Sequence, residues 1–202
     1  MYCFDFDGVI AESHAICLAA CEHACRVQGG QLGDADPFAA LDPLTFEAVA
    51  LECGLEPARF ARDVSDFVVN HEQVSPLIPG MSGILRTLAE SGPLAIISAT
   101  HSSVLRRFLD EHDLSDCFDH VIGGDAGKPK AEILVQLDTM TGNRPVVMVG
   151  DAVSDIHAAK AINIPCIAVT WGWQPIKMLT EADRIITDPS ELLSAIPELK
   201  AA

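Results

Sequence analysis

Short, nearly continuous apolar runs alternate with helical patterns from residue 79 onward. Such runs, separated by helices, are typical of buried strands in a parallel sheet covered on both faces. A further apolar run begins at Tyr2, and the later runs occupy residues 94–97, 120–122, 146–149, 166–169 and 184–187. Helices are predicted between them, over 81–90 and over 156–162, where Asn163 can adopt the left-handed conformation that ends a helix.

The stretch from residue 11 to residue 78 breaks this alternation, because it contains amphipathic patterns and no β-like run. Helices are predicted over 13–28, 43–53 and 57–72, with turns at Gly29-Gly30 and at 34–37. The pattern therefore predicts an α/β fold: a Rossmann-like parallel sheet with helices on both faces, plus a small inserted all-helical cap. The core would comprise residues 1–10 and 79–202, and the cap residues 11–78.

Composition narrows the classes of function. The 202 residues are 49% hydrophobic and carry a net charge of -16, so nucleic acids and anionic membranes are not expected as partners. We expect a cytoplasmic protein, because no signal peptide precedes the first strand and the seven scattered cysteines suit free thiols. An anionic substrate would need a local cationic site. The pattern leaves open whether the protein is a monomer or a homodimer.

Polar side chains follow four of the predicted strands. Because the carboxyl ends of parallel strands meet at one edge of the sheet, these side chains should share a pocket. Two carboxylates one residue apart at the end of an apolar strand repel one another, which indicates that a divalent cation holds them. The residues concerned are Asp5 and Asp7, Ser98, Lys128, and Asp151 with Asp155 four positions later.

These residues also form a known set of motifs, and the chain resembles the haloacid dehalogenase-like hydrolases with a helical cap. The resemblance is closest to the branch of phosphoglycolate phosphatase and β-phosphoglucomutase. The resemblance to the family rests on the sequences Asp5-Phe6-Asp7-Gly8-Val9, Ser98, Lys128-Pro129 and Gly150-Asp151-Ala152-Val153-Ser154-Asp155, which occur in the family's order. The similarity to the phosphoglycolate phosphatase branch rests on the later stretch 168–173, on Ala182-Asp183 and on residues 189–193. The resemblance implies a phosphatase that hydrolyses a small phosphorylated metabolite.

The resemblance also implies a role for each residue. Asp5 would attack phosphorus to give an aspartyl-phosphate, and Asp7 would act as general acid and then as general base. Mg²⁺ would be held by the Asp5 carboxylate, the backbone carbonyl of Asp7 and Asp151. Phosphate would be bound by Gly8, Ser98, Ala99 and Lys128. Asp155 would hold Lys128 or a metal-bound water in place without binding the metal itself.

Several of these residues have plainer explanations. Ser98 or Thr100 could cap a helix that begins near His101, and Lys128 could be a solvated loop lysine. If the register of the motif is shifted, Lys130 is the rival of Lys128. Two other sets are expected to serve packing. They are the helical series His14, Cys17, Cys21 and Cys25, and the pair Trp171 and Trp173.

The charge of the predicted cap bears on the substrate. Apart from histidines, its cations are Arg26, Arg59 and Arg62, against eleven Asp and Glu residues. A cap that gripped a second anionic group would be expected to offer a convergent cation, so a small ester with a neutral or modestly polar leaving group is favoured. The alternatives are phosphoglycolate phosphatase proper, a phosphosugar mutase and a catalytically silent binding protein of the same fold.

Overall fold

A six-stranded parallel sheet forms the centre of the molecule in the computed structural model, which describes residues 1–201. Its strand order is β3-β2-β1-β4-β5-β6, so the chain winds outward from β1 in both directions. This is the doubly wound order of Rossmann-like folds, which confirms the predicted fold class. The strands are β1 Tyr2–Phe4, β2 Leu94–Ile97, β3 His120–Ile122, β4 Val147–Gly150, β5 Cys166–Val169 and β6 Arg184–Ile186.

Successive strand residues point to opposite faces of the sheet, so an apolar strand gives both faces an apolar surface. Helices cover both of these faces. Phe4 belongs to the apolar core on one face, and Cys3 to the core on the other. Both side chains are fully buried, which explains why the strands read as continuous apolar runs. The helices are α1 His14–Val27, α2 Phe46–Glu52, α3 Pro57–Asn70, α4 Met81–Ser91, α5 Ser102–Glu111, α6 Lys130–Thr141, α7 Val153–Ala161 and α8 Leu192–Ala201.

The first three helices lie in residues 11–78, called the helical segment below, and pack around an apolar core of their own. Cys17, Cys21 and Cys25 are buried in that core, as the packing interpretation of this helix face predicted. Helix α2 begins later than predicted, at Phe46, because Thr45 has an extended backbone and its side chain accepts a hydrogen bond from the N–H of Ala48.

Two adjacent connections join the helical segment to the sheet. The N–H of Glu12 donates to the carbonyl of Pro76, and the N–H of Ile78 donates to the carbonyl of Ile10. Ala11 and Leu77 form an isolated antiparallel bridge between these two bonds. The two linkers, residues 10–12 and 76–78, therefore run antiparallel and are hydrogen-bonded to each other.

The ends of two strands and of α7 lie close to their predicted positions. Strand β4 ends at Gly150 and β6 at Ile186, each one residue from the predicted end. Asn163 follows α7 with φ 55°, so it adopts the left-handed conformation that the sequence predicted for it. Over the described part of the chain, no helix combines the length and apolar character needed to cross a bilayer.

Candidate active site

The site lies where the winding of the sheet changes direction, between β1 and β4. Asp5 is the first residue after β1, and Asp151 is the first after β4. Both carboxylates are buried, at 8% and 2% exposure. Because β1 and β4 are neighbouring parallel strands, their carboxyl ends bring these two residues together, as the sequence predicted.

Lys130 supplies the positive charge of the site. Its ammonium lies 2.6 Å from an Asp5 carboxylate oxygen and 2.6 Å from Asp155 Oδ1. Lys130 is the first residue of α6, directly after Pro129. Helical side chains lean toward the helix N-terminus, so this position directs the ammonium back to the edge of the sheet.

Lys128 does not contact the carboxylates that it was predicted to offset, although it lines the same cavity. It is exposed, its ammonium donates to Gln136 Oε1 at 2.8 Å, and it lies 3.8 Å from Glu132. The lysine that contacts the carboxylates stands two positions later in the chain than predicted. Lys128 precedes the helix and turns along its outer face, whereas Lys130 stands two residues further on, at the helix start.

Asp155 uses both carboxylate oxygens. Oδ1 accepts from Lys130, while Oδ2 accepts from the N–H of Ala152 at 3.2 Å and so caps the first turn of α7. The residue is fully buried, and a side chain at Gly150 would overlap it. Asp155 therefore orients a lysine, although that lysine is Lys130 and not Lys128.

Asp7 lies in the turn after β1 and is held by three hydroxyl groups. Ser13 donates to Oδ1 at 2.6 Å, and Thr100 donates to Oδ2 at 2.6 Å. Ser98 also donates to Oδ2, over a longer distance of 3.3 Å. Ser13 and Thr100 were not among the predicted site residues. The one feature of the sequence that could have indicated them is that each is a hydroxyl residue near a residue of the motifs.

Neither Ser98 nor Thr100 caps α5. The helix begins at Ser102, and the His101 side chain accepts from the N–H of Ser103 at 3.2 Å. Ser98 instead accepts from the N–H of Thr100 at 3.0 Å. The predicted phosphate-binding residues Ser98 and Ala99 both line the pocket described below, and so do Lys128 and Lys130.

Three carboxylates at the site have oxygen atoms within 4.8 Å of one another and could hold a metal ion. They belong to Asp5, Asp151 and Asp155. Asp151 is also held by the N–H of Trp173 at 2.6 Å. A side chain at Gly8, whose φ is 70°, or at Gly172 would overlap Asp151, so these two glycines leave room for its carboxylate.

This cluster brings together three carboxylates, whereas Lys130 is the one lysine that the described contacts place against them. Burial raises the pKa of Asp5 to about 7, and Asp155 and Asp7 add to the rise, while Lys130 opposes it. Burial, with the charges of Asp5 and Asp155, also raises the pKa of Asp151 well above its usual value. Oxygen donors crowded in this way fit a hard divalent cation, which would offset their repulsion.

A cavity of about 690 Å³ opens onto these groups. Its walls come from the carboxyl edge of the sheet and from the helical segment. Trp173 lies in the wall, with its ring 4.6 Å from that of Phe38. Trp171 lies elsewhere: it packs against a core of the sheet and donates to the carbonyl of Val9. The packing prediction therefore describes Trp171 well, whereas Trp173 packs on the helical segment and faces the cavity.

Gln174 was not predicted to take part in the site. It is buried, its Oε1 accepts from the N–H of Val153 at 2.8 Å, and its Nε2 donates to the carbonyl of Leu41. One side chain therefore joins the first turn of α7 to the helical segment. No signal in its neighbourhood of the sequence indicates this long-range contact.

A doubly wound sheet with carboxylates and a lysine at its switch point is a Rossmann-like fold with a candidate site where such folds bind their ligands. The chain belongs to the haloacid dehalogenase-like hydrolases, because the model of that family matches residues 2–169. The predicted family and the prediction of an enzyme of the phosphatase type are thus confirmed.

Two relatives in sequence carry the same name. A phosphoglycolate phosphatase from Synechococcus elongatus is 29% identical over 97% of this chain and 96% of its own length. A phosphoglycolate phosphatase from Photorhabdus laumondii is 34% identical over 62% of this chain and 58% of its own length.

Two solved structures share the fold. A predicted phosphatase from Clostridium acetobutylicum has a TM-score of 0.83 at 20% identity, covering 98% of both chains. A CbbY variant from Rhodobacter sphaeroides, in complex with xylulose-(1,5)bisphosphate, has a TM-score of 0.70 at 20% identity, covering 95% of both chains.

Proposed function

We propose that this protein is a Mg²⁺-dependent phosphatase that hydrolyses a small phosphomonoester through an aspartyl-phosphate. The observation that carries the proposal is the ion pair of 2.6 Å between Lys130 and Asp5, inside an acidic cluster that borders the cavity. A carboxylate paired with a fixed cation beside further carboxylates suits nucleophilic attack on a phosphate ester.

The reaction has two displacements. In the first, a carboxylate oxygen of Asp5 bonds to phosphorus, the ester P–O bond breaks, and Asp7 gives its proton to the leaving oxygen. In the second, Asp7 takes a proton from water, the water oxygen bonds to phosphorus, and the bond between Asp5 and phosphorus breaks. Inorganic phosphate leaves, and both aspartates return to their starting state.

Asp7 owes its position in this scheme to the hydroxyls of Ser13 and Thr100, which fix the carboxylate from two sides. Lys130 would bind a phosphoryl oxygen, together with Ser98 and the backbone of Ala99, whereas the N–H of Gly8 donates to the carbonyl of Ala11 at 3.0 Å. Asp155 would act only through Lys130, which it holds in place. Positive charge in a buried site acts strongly on the charge that develops in the transition state.

Mg²⁺ would be held by the carboxylates of Asp5 and Asp151 and by the backbone carbonyl of Asp7. When bound, it neutralises charge on the phosphate and lowers the repulsion between two anions. We assign the helical segment to a cap, which together with Trp173 and Gln174 excludes water from the cavity. The partner is then a small phosphorylated metabolite.

Hydrolysis of p-nitrophenyl phosphate with and without Mg²⁺ tests the proposal, with Asp5→Asn as the control. We expect release of p-nitrophenol and inorganic phosphate that depends on Mg²⁺ and is lost in Asp5→Asn. Rapid quenching with labelled phosphate ester should give a labelled protein only when Asp5 is present. Activity that survives in Asp5→Asn would contradict the mechanism.

The same labelling separates hydrolysis from a mutase reaction. A phosphosugar mutase would pass the phosphoryl group from Asp5 to a sugar hydroxyl, so label would appear in a second sugar phosphate. A phosphatase gives labelled inorganic phosphate instead. The relatives named phosphoglycolate phosphatase make phosphoglycolate a necessary member of the substrate panel.

A further inference from the structure

The helical segment gives the cavity a largely apolar wall. Its contributions include three large side chains, Phe38, Leu44 and Phe46. Phe38 is buried between Phe46 and Trp173, at ring distances of 6.4 Å and 4.6 Å. Aromatic side chains in contact form a stiff surface that can bury the apolar part of a ligand.

The charged residues on this wall are acidic. Asp42 and Glu47 line the cavity from the helical segment, and both are exposed. Among the lining residues that the structure describes, there is no arginine, and both lysines come from the core. A carboxylate on the leaving group would thus meet like charge on this wall, because the helical segment contributes no lysine or arginine to the lining.

The arginines of the helical segment lie away from the lining. Arg59 is 3.7 Å from Asp63 on the same helix. Arg62 and Arg26 are exposed, and neither lines the cavity. The core lysines are also engaged, since Lys130 faces Asp5 and Asp155 while Lys128 contacts Gln136.

The cavity is large for a small dianion. Its volume of about 690 Å³ lies within the range of about 300–1,000 Å³ found for sites that bury drug-sized ligands. A phosphate group held at Lys130 would leave most of that space to the leaving group. The walls around this space are the apolar ones described above.

We propose that the preferred substrate is a phosphomonoester whose leaving group is uncharged and presents an apolar or aromatic surface to Phe46 and Trp173. Glu47 excludes leaving groups that carry a second negative charge. This inference rests on the proposed phosphatase function and adds its substrate class. The name of the relative from Synechococcus elongatus indicates glycolate, a carboxylate, as the leaving group, so the substrate class proposed here differs from that one.

Two matched pairs of esters test charge and apolar surface separately. Phosphoglycolate and its neutral amide have nearly the same size, and benzyl phosphate and ethyl phosphate both release a primary alcohol. We expect kcat/KM to be about tenfold higher for the amide than for the acid, and about tenfold higher for benzyl than for ethyl phosphate. A preference for phosphoglycolate over its amide, or equal rates for benzyl and ethyl phosphate, would overturn the inference.

Variants on helix α2 locate the effect. Glu47→Lys should raise kcat/KM for phosphoglycolate relative to the amide, whereas Glu52→Lys, on the same helix but outside the lining, should not. Phe46→Ala should lower the ratio of benzyl to ethyl phosphate, whereas Leu51→Ala, 67% exposed, should leave it unchanged. Equal effects of Glu47→Lys and Glu52→Lys would contradict the role given to Glu47.

Failure of the inference can be told apart from failure of the proposed function. If the protein hydrolyses no ester in the presence of Mg²⁺, including p-nitrophenyl phosphate, the phosphatase function itself is contradicted. If it hydrolyses the esters but prefers the charged leaving group, only the substrate class is wrong. Thermal melts of each variant show whether a loss of rate reflects a loss of fold.

Discussion

The ammonium of Lys130 lies 2.6 Å from a carboxylate oxygen of Asp5, so the first residue of α6 is tied to the residue that follows β1. The same ammonium lies 2.6 Å from Asp155 Oδ1. One cation thus faces two buried carboxylates. Such a cation is held in place by its partners before any substrate arrives.

This geometry predicts different effects for two neighbouring lysines. Lys130→Met should lower kcat/KM for p-nitrophenyl phosphate by about a hundredfold or more, because a fixed charge that stabilises the transition state is lost. It should also destabilise the fold by about 3–5 kcal/mol, because the carboxylates of Asp5 and Asp155 lose their partner. Lys128→Met should stay close to the parent in both assays. The opposite order of effects would show that Lys128 serves the site.

The lysine of the site could be predicted from the sequence only to within two residues. The sequence predicted a lysine in the loop after β3 and gave Lys130 as the rival of Lys128. Which of the two faces the carboxylates depends on the residue at which α6 begins. A shift of two residues turns a side chain from the outer face of the helix to the edge of the sheet, and helix ends are the least certain part of a sequence prediction.

The sheet itself was predictable because its strands are buried on both faces. Runs such as 94–97 and 166–169 are apolar throughout, and their order along the chain fixes the carboxyl edge at which Asp5 and Asp151 meet. Contacts between distant elements were not predictable in the same way. The bond from Gln174 to the carbonyl of Leu41 depends on how the helical segment packs against the core.

Thr100 should be needed to position Asp7. Its hydroxyl donates to Asp7 Oδ2 at 2.6 Å, which is the distance of a strong hydrogen bond to a carboxylate. Thr100→Val should lower kcat by about tenfold with little change in KM, because the acid and base would be misplaced while phosphate binding persists. Thr100→Ser should restore most of the rate. A valine variant with parental kcat would remove Thr100 from the mechanism.

Two aspartates of the acidic cluster should respond differently to Mg²⁺. Asp151→Asn removes a proposed metal ligand, so we expect the Mg²⁺ concentration for half-maximal activity to rise by at least about tenfold. Asp155→Asn should mainly lower kcat, because Asp155 binds Lys130 and the N–H of Ala152. Titration of activity and calorimetry with Mg²⁺ check both. A larger shift in Asp155→Asn would make Asp155 a direct ligand.

Two glycines provide a last, matched test of how closely Asp151 is packed. A side chain at Gly172 would overlap the Cβ and carboxylate of Asp151, whereas one at Gly83, within α4, would meet nothing within 4 Å. Gly172→Ala should therefore destabilise the fold by about 1–3 kcal/mol and weaken Mg²⁺ activation. Gly83→Ala should stabilise it by about 0.5–1 kcal/mol, because alanine favours the helix. Urea unfolding measures both changes. Parental Mg²⁺ activation in Gly172→Ala would show that Asp151 can shift without loss of the metal site.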